Sequence, residues 1–273
     1  MDVLCGLVGR GRVVRAARFA LHRSRLDLPN HPRYNGEREL PGWLLATVPA
    51  AGRVTAFDVG AHVGRWSRDL LGQAGRTGHR VDLHAFEPAP DTHRRLVAGL
   101  PATAHVHRLA VSDRPGELTL HLAGAYAGRN SLHPLDPVAS TESVTATTID
   151  EHATRHAIDH IDLLKIDAEG HDLRVLRGAE RAFRAGAVSV AQFEYNHRWV
   201  PARHFLKDAF DLLEPLGYRI GKLTPHGVEW YPGWDPDLET FVEGNYVACT
   251  RPLARRLPGV RWGKKGTQTC TSA

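Results

Sequence analysis

The stretch that most constrains this chain is Thr55-Ala-Phe-Asp-Val-Gly-Ala-His-Val-Gly64. Val54 to Val59 is a run of small and apolar residues with an Asp near its carboxyl end, and it reads as a buried strand. Gly60 and Gly64 bracket a tight turn, and Trp66 to Leu71 begins a helix. Glycine is needed where the backbone bends sharply or must let a ligand come close. A helix amino terminus behind such a turn offers unpaired N–H groups to a polar or anionic ligand.

Two acids sharpen the reading. A carboxylate at Asp58 would repel a pyrophosphate lying on the same turn. It suits a ligand with positive charge, such as the ammonium and sulfonium of S-adenosylmethionine. Val81 to Phe86 is the next apolar run and ends in Glu87-Pro88. In a doubly wound sheet, an acid at the end of the second strand reaches ribose hydroxyls. Dinucleotide enzymes and methyltransferases share that device, so Glu87 marks a nucleoside without choosing between them. Either acid taken alone also fits a solvated turn.

Strand and helix then alternate. A helix capped by Asp91 or Thr92 runs to about Leu100, and a third strand is expected over His105 to Val111. The rhythm changes next: Glu117 to Leu122 and Val144 to Thr148 read as strands, separated by the Gly-, Pro-, Ser- and Asn-rich Ala123 to Ser140. A hairpin and long loop are thus inserted between core strands three and four. Asp150 to His156 reads as a short helix, Ile161 to Ile166 as strand four, Asp172 to Ala185 as a helix and Ala187 to Phe193 as strand five. A helix over Arg203 to Leu216 precedes strands at Gly217 to Leu223, Val228 to Tyr231 and Thr240 to Cys249.

The termini carry much of the arginine excess behind the net charge of +5. Arg10 to Arg25 could form a basic amphipathic helix with Val13, Val14, Ala17, Ala20 and Leu21 on one face, but solvated tails are the simpler reading. Nothing resembles an aromatic and basic platform for nucleic acid, and no apolar run reaches the ~20 residues of a membrane span. Cys5, Cys249 and Cys270 are scattered, without zinc-ligand spacing. A reduced, cytoplasmic protein without stable membrane insertion is expected.

Three blocks together resemble the FkbM family of S-adenosylmethionine-dependent methyltransferases. They are Phe57-Asp-Val-Gly-Ala-His-Val-Gly64 with Ala85-Phe-Glu-Pro88, Ile161-Asp-Leu-Leu-Lys-Ile-Asp-Ala-Glu-Gly170, and Gln192-Phe-Glu-Tyr195. The family usually shows Asn where this chain has His62, and often Glu where it has Asp172. The resemblance implies a Rossmann-like class I α/β fold: a seven-stranded sheet with helices on both faces and an antiparallel last strand. The resemblance covers roughly residues 52 to 250, and the chain is expected to divide into a basic extension (1–36), a methyltransferase domain (37–250) and a basic tail (251–273). It also implies methyl transfer, usually to a hydroxyl of a sugar, polyketide or other natural product. Cofactor contacts are expected from Asp58, Gly60, His62, Gly64, Glu87, Ala110 and Ser112.

Methyl transfer from a sulfonium is an in-line displacement, and a hydroxyl acceptor must lose its proton. Asp167, Glu169, Glu194 and His197 fall at strand ends facing the expected donor. Asp167 is the leading candidate for general base or acceptor anchor, although an Asp there could simply cap the next helix. Lys165 should share the strand face of Asp167 and pair with a carboxylate. Asp167 and Glu194 also sit where catechol-type enzymes hold Mg²⁺, but no metal is expected. Asn130 and Ser131 are the candidate acceptor contacts. His152 and His156 lie four apart on an expected helix, and with no third ligand in view they read as solvated. Two competing readings are an NAD(P)-dependent oxidoreductase, whose Gly-x-Gly-x-x-Gly turn is missing, and a non-catalytic cofactor-binding protein of the same fold.

Overall fold

The structure is a computed structural model that describes residues 8–27, 31–123, 130–134, 138–263 and 266–270. Residues 124–129 and 135–137 of the long loop expected after Ala123, and the extreme ends of both basic extensions, lie outside the described residues. In chain order the strands are β1 (Arg53–Val59), β2 (Arg80–Phe86), β3 (His105–His107), β4 (Ala110–Val111), β5 (Gly116–Leu122), β6 (Ser140–Thr147), β7 (Ile161–Ile166), β8 (Val188–Tyr195), β9 (Tyr218–Thr224), β10 (Gly227–Trp230), β11 (Gly244–Thr250), β12 (Gly259–Gly263) and β13 (Gly266–Cys270).

The main sheet runs β3-β2-β1-β7-β8-β11-β9 and continues through β10, β12 and β13. From β3 to β8 every pairing is parallel, and β11 is antiparallel to both β8 and β9. The antiparallel strand near the end of the sheet is as expected, but among the described residues the sheet has ten strands where seven were expected. Three further strands cover what would otherwise be the open edge of β9, and so hide its unpaired backbone groups. Part of the expected C-terminal tail therefore forms strands β12 and β13.

Alternation along the strands divides the core. Phe57, Phe86, Leu164 and Phe193 pack on one face, and Val54, Ala56, Leu83, Leu163 and Val190 on the other. Parallel strands buried on both faces need the continuous apolar runs seen at β1 and β7. The helix Arg10–Ser24 buries none of its residues, so its apolar stripe stays at the surface.

Two expected elements are broken. The third strand stops at His107, and Ala110–Val111 instead pairs with β6 in a second, three-stranded sheet, β4-β6-β5. The expected Asp172 to Ala185 helix divides into Asp172–Arg177 and Glu180–Arg184. Between them Gly178 lies so close to the Ser112 carbonyl that a Cβ would stand 2.0 Å from its oxygen.

Candidate active site

The carboxyl ends of β1, β2 and β7 meet at the glycine turn. Gly60 and Ala61 donate their N–H groups to the Phe86 carbonyl at 3.1 and 3.0 Å, and Asp167 donates its N–H to Val59 at 3.0 Å. Gly60 has φ 74°, and a Cβ there would lie 1.9 Å from the Asp167 carbonyl oxygen. Only glycine lets the turn sit this tightly over the end of β7. Gly64, with φ 77°, leads into the helix Arg65–Thr77.

Two cavities open on either side of this turn. The first, about 640 Å³ with its mouth, is lined by Gly60, His62, Phe86, Glu87, Ala110, Asn130, Asp167 and Glu169, with Leu109, Leu120 and Leu132 as apolar walls. The second, about 940 Å³, is lined by Glu37, Arg38, Arg65, Trp66, Asp69, Gln73 and Lys165. His62 and Asp167 border both. The first combines an apolar lining with a few convergent polar groups, as a small-ligand site does.

Glu87 is held ready at the first cavity. One carboxylate oxygen accepts the His62 N–H and the other the Ala89 N–H, each at 3.0 Å. Each oxygen keeps a further lone pair for a ligand hydroxyl. Burial pushes this carboxyl up to about 7, against the pull of those two amides. His62 has φ 49°, and its buried Nε2 has no hydrogen-bond partner among the described residues. Burial also lowers its imidazole below the ordinary histidine range. A glycine cradle, an acid positioned for a ribose and an unpartnered ring nitrogen together fit an adenosyl ligand.

Asp58 lines neither cavity. It is fully buried, and the register sets it directly opposite Lys165. Its Oδ1 lies 3.3 Å from Lys165 Nζ, and Ser67 donates to its Oδ2 at 2.6 Å. Lys165 Nζ also lies 3.3 Å from Asp167 Oδ2, as expected for side chains on one strand face. Burial works against the Lys165 charge, but Asp58, Asp167 and Glu37 outweigh it and hold the ammonium well above its ordinary range. Asp167 is 40% exposed and points into the junction of the cavities.

The other candidates divide. Glu169 lines the first cavity and pairs with Arg198, which sequence reasoning missed. Burial and then Asp167 push Glu169 up to about 8. Its φ of 54° and the following Gly170, whose Cβ would meet the Arg198 carbonyl at 2.8 Å, shape this tight corner. Asn130 lines the cavity and accepts the Ala123 N–H at 3.1 Å. Ser131, Ser112, Glu194 and His197 line neither cavity. Ser131 donates to the Glu169 carbonyl at 2.8 Å and so braces the loop. Ser112 is buried against Asp113 and His171. Glu194 is buried and takes an Asn196 amide at 2.7 Å. Burial first, then Asp167, raises its carboxyl well above the ordinary range. His197 sits exposed on a turn after β8. Glu37 was also missed. It belongs to the stretch before the first strand, where no strand-end rule points to a site.

A sheet of this order, with a glycine turn after β1 and acids at the ends of β1, β2 and β7, defines a class I methyltransferase fold. Residues 58–220, more than half of the chain, match the methyltransferase FkbM domain, and the chain belongs to that family. It is 29% identical over 134 residues to the hexuronic acid methyltransferase AglP of Haloferax volcanii, covering 47% of this chain and 51% of that protein. The match thus spans about half the length of the Haloferax protein. It is 28% identical over 231 residues to the 31-O-demethyl-FK506 methyltransferase FkbM of Streptomyces tacrolimicus, covering 71% of this chain and 80% of that one. Among solved structures, a precorrin-6y C5,15-methyltransferase from Geobacter metallireducens aligns at 12% identity over 78% of this chain and 87% of its own, with a TM-score of 0.40. No helix among the described residues is long and apolar enough to cross a membrane.

Proposed function

We propose that this chain transfers a methyl group from S-adenosylmethionine to a hydroxyl of a sugar or polyketide natural product. The observation that carries the reading is the pair of cavities meeting at His62 and Asp167. In this assignment the first cavity takes the adenosine, with Glu87 accepting the ribose hydroxyls and Phe86, Leu109, Leu120 and Leu132 around the base. The second takes the polar acceptor, whose hydroxyls meet Glu37, Arg38, Asp69 and Gln73 beside the Trp66 ring. S-adenosylmethionine supplies an electrophilic methyl on a sulfonium. The protein's own task is to align the acceptor oxygen and remove its proton. Asp167 stands where the two ligands would meet, with Lys165 as its counter-charge. The names of the two relatives, one for a hexuronic acid and one for 31-O-demethyl-FK506, guide the choice of acceptors.

The test is transfer of labelled methyl from S-adenosylmethionine to hexuronic acid glycans, other sugars and macrolide alcohols, read by mass spectrometry. Mild alkali then separates an O-methyl ether, which survives, from a methyl ester, which does not. Absence of S-adenosylmethionine binding by calorimetry would sink the reading.

A further inference from the structure

Behind the first cavity lies a cluster that the proposed methyl transfer does not use. His84 on β2, His107 on β3 and His152 on the helix Ile149–Arg155 turn their rings toward one point. His84 Nδ1 lies 3.0 Å from His152 Nε2 and 3.3 Å from His107 Nε2. One ligand atom from each of the three falls within 4.8 Å of the others. His84 and His152 are buried, at 3% and 1% exposure, and His107 is half-buried. His152 was expected to be solvated. It is buried because β2 and β3 lie under its helix, which no spacing within the helix reveals.

We infer that His84, His107 and His152 form a binding site for a divalent first-row transition metal, Zn²⁺ by preference. Zinc binds imidazole nitrogen at ~2.0–2.1 Å, which sets neighbouring ligand nitrogens of a tetrahedral site about 3.3–3.4 Å apart. The separations of 3.0 and 3.3 Å around His84 Nδ1 therefore close on a metal with little movement. His84 Nε2 faces Asp82 Oδ1 at 3.7 Å. A carboxylate behind a ring favours the tautomer that leaves the opposite nitrogen free to ligate. His152 Nδ1 is buried without a partner among the described residues.

The surroundings give the site access and a role. His156 is exposed and its ring stacks on His152 at 4.3 Å between centroids, so the cluster lies close to solvent and a water can complete four ligands. Imidazole donors suit zinc, copper and nickel over magnesium or calcium. Phe86, which lines the first cavity, packs against His107 at 5.1 Å and His152 at 4.7 Å between centroids. A metal here would tie three elements together beneath the cavity floor. It would act as a structural brace, remote from the reacting groups.

The experiment uses untagged full-length protein, stripped with chelator and checked for folding by circular dichroism. Zn²⁺ is titrated against a chromophoric chelator, and Co²⁺ is added separately to read coordination from its visible spectrum. Wild type should take one equivalent of Zn²⁺, show tetrahedral Co²⁺ absorption and melt at a higher temperature when loaded. His107→Gln, at the half-buried rim, should weaken binding by ~100-fold or more, at or beyond the 10–100-fold that loss of an outer partner costs. His160→Gln, an exposed histidine elsewhere, should bind as wild type does. Less than a tenth of an equivalent in folded wild type would overturn the site. So would unchanged affinity in both His107→Gln and His152→Gln, which would leave a hydrogen-bonded imidazole cluster.

Discussion

Replacing Lys165 with Met is the sharpest test of how the junction is built. The Lys165 and Asp58 side chains are 4% and 0% exposed, and Nζ lies 3.3 Å from Asp58 Oδ1. At an effective dielectric of ~20, that separation corresponds to about 5 kcal/mol of attraction. Met fills a similar volume, so the packing loss is small and the charge effect dominates. Among the described residues, Asp58 would keep the Ser67 hydroxyl as its hydrogen-bond partner. Removing one partner of a buried pair costs ~3–5 kcal/mol, because the other charge is stranded. In a domain of this size that lowers the melting temperature by ~6–20 °C. The double variant Asp58→Asn, Lys165→Met removes both charges and should recover most of the loss. Urea unfolding followed by tryptophan fluorescence gives all four corners of the cycle. A single-variant loss under about 1 kcal/mol, or two losses that simply add, would refute the buried pair as described.

Other outcomes follow from the same geometry. Glu87→Ala should weaken S-adenosylmethionine binding by about 1–3 kcal/mol by calorimetry, as for a charge-assisted hydrogen bond; equal affinity removes Glu87 from the site. Methyl transfer should not respond to added Mg²⁺, because Lys165 already supplies the positive charge beside Asp167 and Glu194 is tied to Asn196; a rate that rises steeply with Mg²⁺ or Mn²⁺ contradicts this. Stability should fall from pH 6.5 to 8, since burial raises Asp172 to about 7 and Glu169 to about 8. A raised acid stabilises fully below its unfolded pKa, and that contribution is lost as pH rises through the folded value. The lowered histidines, His84, His107, His152, His171 and His204 among them, act oppositely, but most of their contribution is already in place above ~6.5. A urea midpoint that climbs over this range would show the acids misread.

The parts legible in the sequence share one property: each is set by neighbours along the chain. Gly60, Asp58 and Glu87 sit at strand ends, and strand ends follow from apolar runs and the turns after them. The alternation that puts Lys165 and Asp167 on one face is equally local, and the ion pair at 3.3 Å follows from it. What stayed hidden depends on which strands become neighbours. His84 and His107 meet because β2 lies beside β3, and His152 joins them across the sheet face. Ser112 follows the expected third strand, yet that strand leaves the main sheet before reaching it, because Ala110–Val111 pairs with β6. Arg198 reaches Glu169 from beyond β8, a separation no local pattern spans.

The choice of base follows from comparing the acids around β7 and β8. Glu169, Asp172 and Glu194 are all raised, by burial first and by the Asp167 charge after it. A base must accept a proton at working pH, so an acid held up to about 8 is already protonated through much of the neutral range. Asp172 is further committed, taking the Gly170 and Glu194 N–H groups at 3.2 Å each. Asp167 alone combines exposure to both cavities with a fixed cation beside it. Asp167→Asn should therefore lower single-turnover methyl transfer by ~10²–10⁴-fold and leave S-adenosylmethionine affinity nearly intact. Glu169→Gln should keep most of the wild-type rate. If Glu169 is the base instead, wild-type activity will climb through about pH 8, Glu169→Gln will lose it, and Asp167→Asn will turn over like wild type.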